Sequence, residues 1–132
     1  MKTSTKQKTS SPVPQWTEAR YRTFIKTLIR SGFRRYPNKF AVLKNAEVGR
    51  KINKKTGKLA MHYRCAKCRK HHVRLDMEVD HIIPIVNPAI GFTTWDDYIY
   101  AHFCAIENLQ ALCKPCHKKK TAKERNYGTP TN

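Results

Sequence analysis

An α+β fold is what this sequence predicts, with helices on its N-terminal side and a hairpin core tied together through cysteines. Three observations carry that reading. Two Cys-x-x-Cys pairs, Cys65/Cys68 and Cys113/Cys116, stand far apart in the chain. Between them, His71 to Val79 alternates, with Val73, Leu75, Met77 and Val79 set against Arg74, Asp76 and Glu78, which is the period of a half-exposed strand. Apolar residues also recur at helical spacing, first at Tyr21, Phe24, Ile25, Leu28 and Ile29, then at Trp95, Tyr98, Ile99, His102, Phe103 and Ile106.

A chain of 132 residues fits one domain, and 39% hydrophobic residues is low for a well-buried core, so a staple is expected. The five cysteines could form disulfides in a secreted protein. No apolar signal segment precedes them, which favours a reducing compartment, a cytoplasmic location and thiolate ligation of a metal. No run of about 18 apolar residues occurs, so no membrane span is expected. Lys and Arg number 27 against 9 acidic residues, a net charge of +18, far beyond what solubility requires. The basic residues are spread through the chain, which points to a wide phosphate-facing surface and a polyanionic partner. Charge alone does not separate an enzyme from a nonspecific nucleic-acid binder.

Residues 1–15, rich in Lys, Thr, Ser and Pro, have the composition of a disordered basic arm. Residues 16–58 read as a helical extension. Thr17 is an N-cap with Glu18 in the first turn, and Gly32 supplies a stop. Arg22, Lys26, Arg30 and Arg34 lie four apart on this first helix, either as a stripe for a phosphate backbone or as a solvated face. Phe40, Ala41, Leu43, Val48 and Ile52 suggest a second helix, ending before the turn Lys54-Lys55-Thr56-Gly57-Lys58. Met61 to Arg64 reads as a short strand, so that Cys65 and Cys68 sit at a hairpin tip. Pro84 ends the alternating strand, and Thr94 caps the helix that carries Asp96 and Asp97 in its first turn. Asn108 opens a short strand through Leu112. Pro115 starts a last helix made basic by Lys118, Lys119, Lys120, Lys123 and Arg125, with a frayed tail at 127–132.

Two Cys-x-x-Cys pairs match tetrahedral thiolate ligation, each pair spanning one edge of the tetrahedron, which makes structural Zn²⁺ the expected occupant. The intervening run is longer than a usual zinc ribbon, and residues 85–107 supply the insertion that requires. A redox Cys-x-x-Cys is the alternative. A haem attachment site at Cys113-Lys-Pro-Cys116-His117 would leave the first pair unexplained.

The combination of Cys65-Ala-Lys-Cys68, Val79-Asp80-His81-Ile82-Ile83-Pro84 and Glu107-Asn108-Leu109-Gln110-Ala111-Leu112-Cys113-Lys-Pro-Cys116-His117 resembles the HNH nucleases, in the zinc-stapled branch common among phages and mobile elements. The match covers residues 65–121, within an expected nuclease domain of 59–126. The resemblance implies a ββα-metal core, in which two antiparallel strands and a helix surround one divalent metal. It implies His81 as general base, Asp80 and His117 as metal ligands, and Asn108 as the residue that constrains the loop holding His81. The helical insertion is longer than the compact loop usual in that family.

These roles make chemical sense. Phosphodiester hydrolysis needs a water deprotonated near neutral pH and charge neutralisation on the phosphoryl oxygens. One carboxylate plus one imidazole leaves most positions of a hard cation open, which suits Mg²⁺, or Mn²⁺ and Ni²⁺ with their greater affinity for nitrogen. Adjacent residues of an extended strand face opposite ways, so Asp80 and His81 can share a site only if the strand end bends near Pro84. Taken singly, Asp80 could be a turn carboxylate, His81 and His117 surface imidazoles, and Asn108 a cap. His71 and His72 read as strand residues or phosphate contacts, His62 and His102 as structural, and Cys104 as buried and inert. The expected activity is a metal-dependent endonuclease on double-stranded DNA, gripped by the N-terminal helices and by Lys118, Lys119, Lys120 and Lys123 of the C-terminal helix, with no membrane or small-molecule partner. The alternative is a non-catalytic zinc-ribbon DNA-binding protein, a regulator or packaging factor.

Overall fold

The computed structural model describes residues 11–127, so the expected arm over residues 1–10 and the tail over residues 128–132 lie outside the described residues. The part of the expected arm that is described forms a turn, closed by Trp16 N–H donating to the Val13 carbonyl at 3.0 Å. Two compact units follow, one ending at Arg34 and one beginning at Arg35. The start of the second lies upstream of residue 59, where the sequence suggested a boundary.

The first unit carries helix α1 (Glu18–Gly32). Its start is where the cap chemistry puts it: Thr17 is extended, and its hydroxyl accepts from the Arg20 N–H at 3.1 Å. The helix buries no residue fully, and Phe24 and Leu28 remain about half exposed.

The second unit mixes helix and sheet. Helix α2 (Pro37–Asn45) begins with Pro at its first position, where the absent N–H costs nothing, and buries Val42 and Leu43. The expected helix over Phe40 to Ile52 is therefore only half right. The chain leaves the helix at Ala46 and becomes strand β1 (Glu47–Ile52), antiparallel to β2 (Leu59–Arg64). The second correction concerns His71 to Val79, which is not one strand. Strand β3 (His71–Val73) pairs with β2, a 3-10 turn over Arg74–Asp76 breaks the alternation, and β4 (Met77–His81) starts a separate sheet with β5 (Leu109–Cys113). Leu75, in phase with the apolar face by counting, is 80% exposed on that turn.

Helix α3 (Trp95–His102) starts at Thr94, whose hydroxyl accepts from the Asp97 N–H at 3.1 Å. Tyr98 and His102 are its buried residues, with rings 4.7 Å apart. The end of this insertion is tied to the start of α2, because the Tyr36 hydroxyl and the Asn38 amide both donate to the Cys104 carbonyl, at 2.7 and 3.0 Å. Helix α4 (Lys114–Tyr127) runs directly out of β5 and packs against both β4 and β5. The core beneath is small: Met77, Leu109, Ala111, Leu112, Cys65 and Cys113 supply most of its buried apolar surface. No described helix is long and apolar enough to cross a membrane.

Candidate functional site

Among the described residues, Cys65, Cys68, Cys113 and Cys116 form the one group of three or more metal-capable side chains that converge closely, with sulfurs all within 4.8 Å of one another. Three local causes bring them there. The β2–β3 pairing ends at Arg64 opposite His71, which turns the first cysteine pair into a tight knuckle. Within it Arg69 adopts a positive φ of 67° and its N–H closes onto the Cys65 carbonyl at 3.0 Å. The Ala66 N–H then donates to the Ala111 carbonyl at 2.8 Å, joining the knuckle to β5 just before Cys113. The backbone N–H groups of Lys67 and Cys68 point at the Cys65 sulfur, each at 3.4 Å, as N–H groups do toward a thiolate.

The spacing fits zinc. A Zn–S bond of about 2.3 Å in a tetrahedron separates sulfurs by about 3.8 Å, and Cys68 and Cys113 stand 3.8 Å apart. Without a cation, four thiols this close cannot all ionise. Burial pushes the Cys113 thiol up to about 12, whereas at Cys65 the effect of burial is outweighed by the backbone donors, which bring it down to about 6. A negative charge is accommodated at Cys65 and opposed at Cys113 and Cys116, so a divalent cation is what lets the cluster deprotonate.

One helical turn from the cluster lies a second group. His117 follows Cys116 on α4, and its Nε2 stands 3.5 Å from Asp80 Oδ1 on β4. Asp80 is buried, with its other oxygen accepting from Gln110 Nε2 at 3.2 Å, across the strand pair in which Asp80 faces Gln110. The same oxygen is 3.0 Å from the Lys120 ammonium, which also pairs with Glu124 and donates to the His81 carbonyl at 3.0 Å. Burial alone would lower the Lys120 pKa, but the Glu124 and Asp80 carboxylates outweigh it and hold it above its ordinary value. Asp80, His81, His117 and Glu124 line one depression of about 250 Å³ with Pro84.

His81 is positioned from two sides. Its Nε2 lies 2.9 Å from the His102 carbonyl, so Nε2 carries the proton and the ring's lone pair belongs to Nδ1. Asn108 holds the chain that follows: its carbonyl accepts from the Ile82 N–H at 2.8 Å and its side-chain oxygen from the Ile83 N–H at 3.0 Å. The strand thus bends immediately after His81, which lets neighbouring residues of β4 open on the same depression.

A carboxylate and an imidazole 3.5 Å apart suit two cis positions on a small divalent cation, since bonds of about 2.1 Å at right angles separate donors by about 3 Å. No third ligand joins them among the described residues. The thiolate cluster therefore offers zinc a complete set of four ligands, whereas Asp80 and His117 offer two donors.

Of the residues expected to contact nucleic acid, Lys118, Lys119 and Lys123 are exposed on α4, and so are Arg30 and Arg34, while Arg22 and Lys26 are partly covered. Lys120 differs. It was expected on the phosphate-facing side and is instead engaged with Asp80, Glu124 and the His81 carbonyl. Gln110, Glu124 and the His102 carbonyl are further members of the site. The spacing of His117, Lys120 and Glu124 along one helix face could have signalled Glu124, whereas a backbone acceptor supplied by an insertion leaves no trace in residue identity.

No protein-family description, curated protein or solved structure matches the chain.

Proposed function

We propose that this protein is a metal-dependent endonuclease of the HNH type, acting on double-stranded DNA. The observation that carries the proposal is the convergence of Asp80 and His117, 3.5 Å apart, the first from β4, whose Met77 pairs with Cys113, and the second from α4, the helix that carries Cys116. The order of β4, β5 and α4, two antiparallel strands leading into a helix, supports the ββα reading of the resemblance.

In this reading Asp80 and His117 hold the divalent ion, Mg²⁺, Mn²⁺ or Ni²⁺, which neutralises charge on the phosphoryl oxygens when bound. His81 takes the proton of the attacking water at Nδ1. Donation from Nε2 to the His102 carbonyl fixes the tautomer that this requires. Asn108 keeps the ring from drifting by holding the two backbone N–H groups beyond it. Gln110 orients the Asp80 carboxylate from the opposite strand. The net charge of +18 supplies attraction to the polyanion.

The deciding experiment is cleavage of supercoiled plasmid by zinc-loaded protein, with and without added Mg²⁺ or Mn²⁺, beside His81→Ala. Metal-dependent nicking that the variant lacks supports the proposal; absence of any cleavage by wild type across metals refutes it. A second reading, a non-catalytic zinc-containing DNA-binding protein, is favoured by one observation: the Lys120 ammonium is already paired with Asp80 and Glu124, in the place where a second cation would bind. Calorimetry on zinc-loaded protein separates the two, because the binder would take up no further divalent metal.

A further inference from the structure

The charge of this protein is not evenly distributed over its folded elements. From Val48 to Leu75 there is no Asp or Glu, while Lys and Arg recur throughout, and the whole stretch folds into the three-stranded sheet, its turns and the cysteine knuckle. The strand register sorts these residues onto faces. Lys51 pairs with Ala60, Gly49 with His62, His62 with Val73, and Arg64 with His71. Because directly paired residues share a face and alternate residues of a strand return to it, Lys51, His62, Arg64 and His71 lie on one side of the sheet. Lys51 Nζ meets His71 Nδ1 there, as that assignment requires. The His71 imidazole is held below its ordinary pKa, by local desolvation first and then by the charges of Lys51 and Arg64, which marks the positive potential of the face.

Two further features suit this face to an extended polyanion. Gly49 and Ala60 are the small residues between the cations, and Gly49 sits at the β1 irregularity with φ of 120° and nothing within 4 Å of where a Cβ would stand. The surface between the cations is therefore open to a phosphate backbone. At the far end, the turn that displays Lys54, Lys55 and Lys58 is internally bonded. Asn53 N–H donates to the Lys58 carbonyl at 2.8 Å, Gly57 N–H to the Asn53 carbonyl at 2.7 Å, and the Asn53 side chain accepts from Lys55 N–H at 3.0 Å. The lysines are thus carried on an ordered platform, so that binding orders side chains only. Crowding like charges in this way opposes folding and is relieved by a polyanion.

We propose that the β1–β2–β3 sheet, led by the β1–β2 hairpin, is the surface that grips duplex DNA beside the Asp80–His117 site. The choice of DNA rests on the function proposed above. The sheet has a fixed relation to that site, because Arg64 precedes the zinc-ligand candidate Cys65 and His117 follows its counterpart Cys116. Strands of this length reach about 20 Å from the knuckle, or about six phosphates along one strand of a duplex. The grip therefore lies to one side of the scissile bond, and the footprint is asymmetric.

The test is binding of a fluorescein-labelled 20-base-pair DNA duplex by anisotropy over a salt series, without added divalent metal. Wild type is compared with Lys51/Lys54/Lys55/Lys58→Ala and with an α1 variant, Arg22/Lys26/Arg30/Arg34→Ala, whose last position lies in the turn just after that helix. Each phosphate-neutralising lysine contributes about 0.9 to the slope of log K against log salt. The hairpin variant is expected to lose at least about two units of slope and at least about tenfold in affinity at physiological salt, with circular dichroism unchanged and melting no lower than wild type. Should that variant melt early, Lys54/Lys55/Lys58→Ala, confined to the turn, reads the same effect. A hairpin variant whose slope falls by less than half a unit while the α1 variant loses binding overturns the proposal, and so does tighter binding of an RNA duplex of the same sequence. Failure of wild type to cut plasmid refutes the nuclease and leaves this binding test intact.

Discussion

The thiolate cluster and the Asp80–His117 site are neighbours on the same helix, yet they are built on opposite plans. In the cluster the protein supplies four ligands, buries two of them almost completely and aims backbone N–H groups at the sulfurs. At the second site it supplies two donors, leaves a depression open beside them and lodges its own ammonium group against the carboxylate. A closed shell makes a metal part of the fold, and an open one makes it part of a reaction. The sharpest way to test the contrast is to remove each site in turn and ask what else is lost.

Cys113→Ser should have the largest effect. Zinc ligation contributes folding free energy, of the order of 10 kcal/mol in small zinc domains, and Cys113 joins β5 to α4. The variant is expected to lose both stoichiometric zinc and native circular dichroism; native melting without zinc would mean the cluster is not a metal site. His81→Ala should separate chemistry from structure, with plasmid cleavage falling by about 10²-fold to 10⁴-fold while zinc content and DNA affinity hold. His117→Ala and Asp80→Ala should retain zinc and lose cleavage in a way that added Mn²⁺ partly restores. A cleavage defect insensitive to metal concentration would remove both from the ligand set.

Smaller effects sharpen the comparison. Asn108→Ala removes the acceptor of an exposed N–H and should cost about 1 kcal/mol in stability, with a disproportionate loss of cleavage, and Asn108→Asp should restore part of it. Lys120→Met should tighten divalent metal binding, measured by calorimetry, since the ion no longer competes with an internal cation. In metal-free protein the same substitution should lower stability, because it leaves the buried Asp80 carboxylate without its cation. The Lys120 pKa is raised on folding, so that difference is fully present below its ordinary value of 10.5 and fades as pH climbs through the raised one. A pH-independent difference would assign the effect to packing.

The closed site was legible in the sequence because its ligands are rare residues at a spacing that geometry dictates. Helix starts at Thr17 and Thr94 were equally legible, since a hydroxyl before a helical pattern has one common use. What escaped were places where two patterns overlap. Phe40, Leu43, Val48 and Ile52 satisfy a helical period, yet the segment from Glu47 gains more by pairing with the strand beyond the Lys54–Lys58 turn. His71 to Val79 satisfies strand alternation, yet Arg74–Asp76 turns so that the two halves join different sheets. Beside the closed site, Asp80, His81, Asn108 and His117 were picked out by their order, and Asp80, His81 and His117 lie around one depression. The place of Lys120 was not legible, because a lysine on a basic helix looks the same whether it faces solvent or a buried carboxylate.

The bonds from Tyr36 and Asn38 to the Cys104 carbonyl carry a consequence for where a working fragment must begin. His102, whose carbonyl orients His81, lies two residues from that anchor, and Tyr36 reaches it across 68 positions of sequence. A fragment starting at residue 59 would keep every metal-binding side chain and the histidine itself. It would lack the anchor, leaving the imidazole's acceptor on an untethered insertion. Such a fragment would also lose Val42 and Leu43 from their packing beside β5, whereas one starting at Arg35 retains both these residues and the tether.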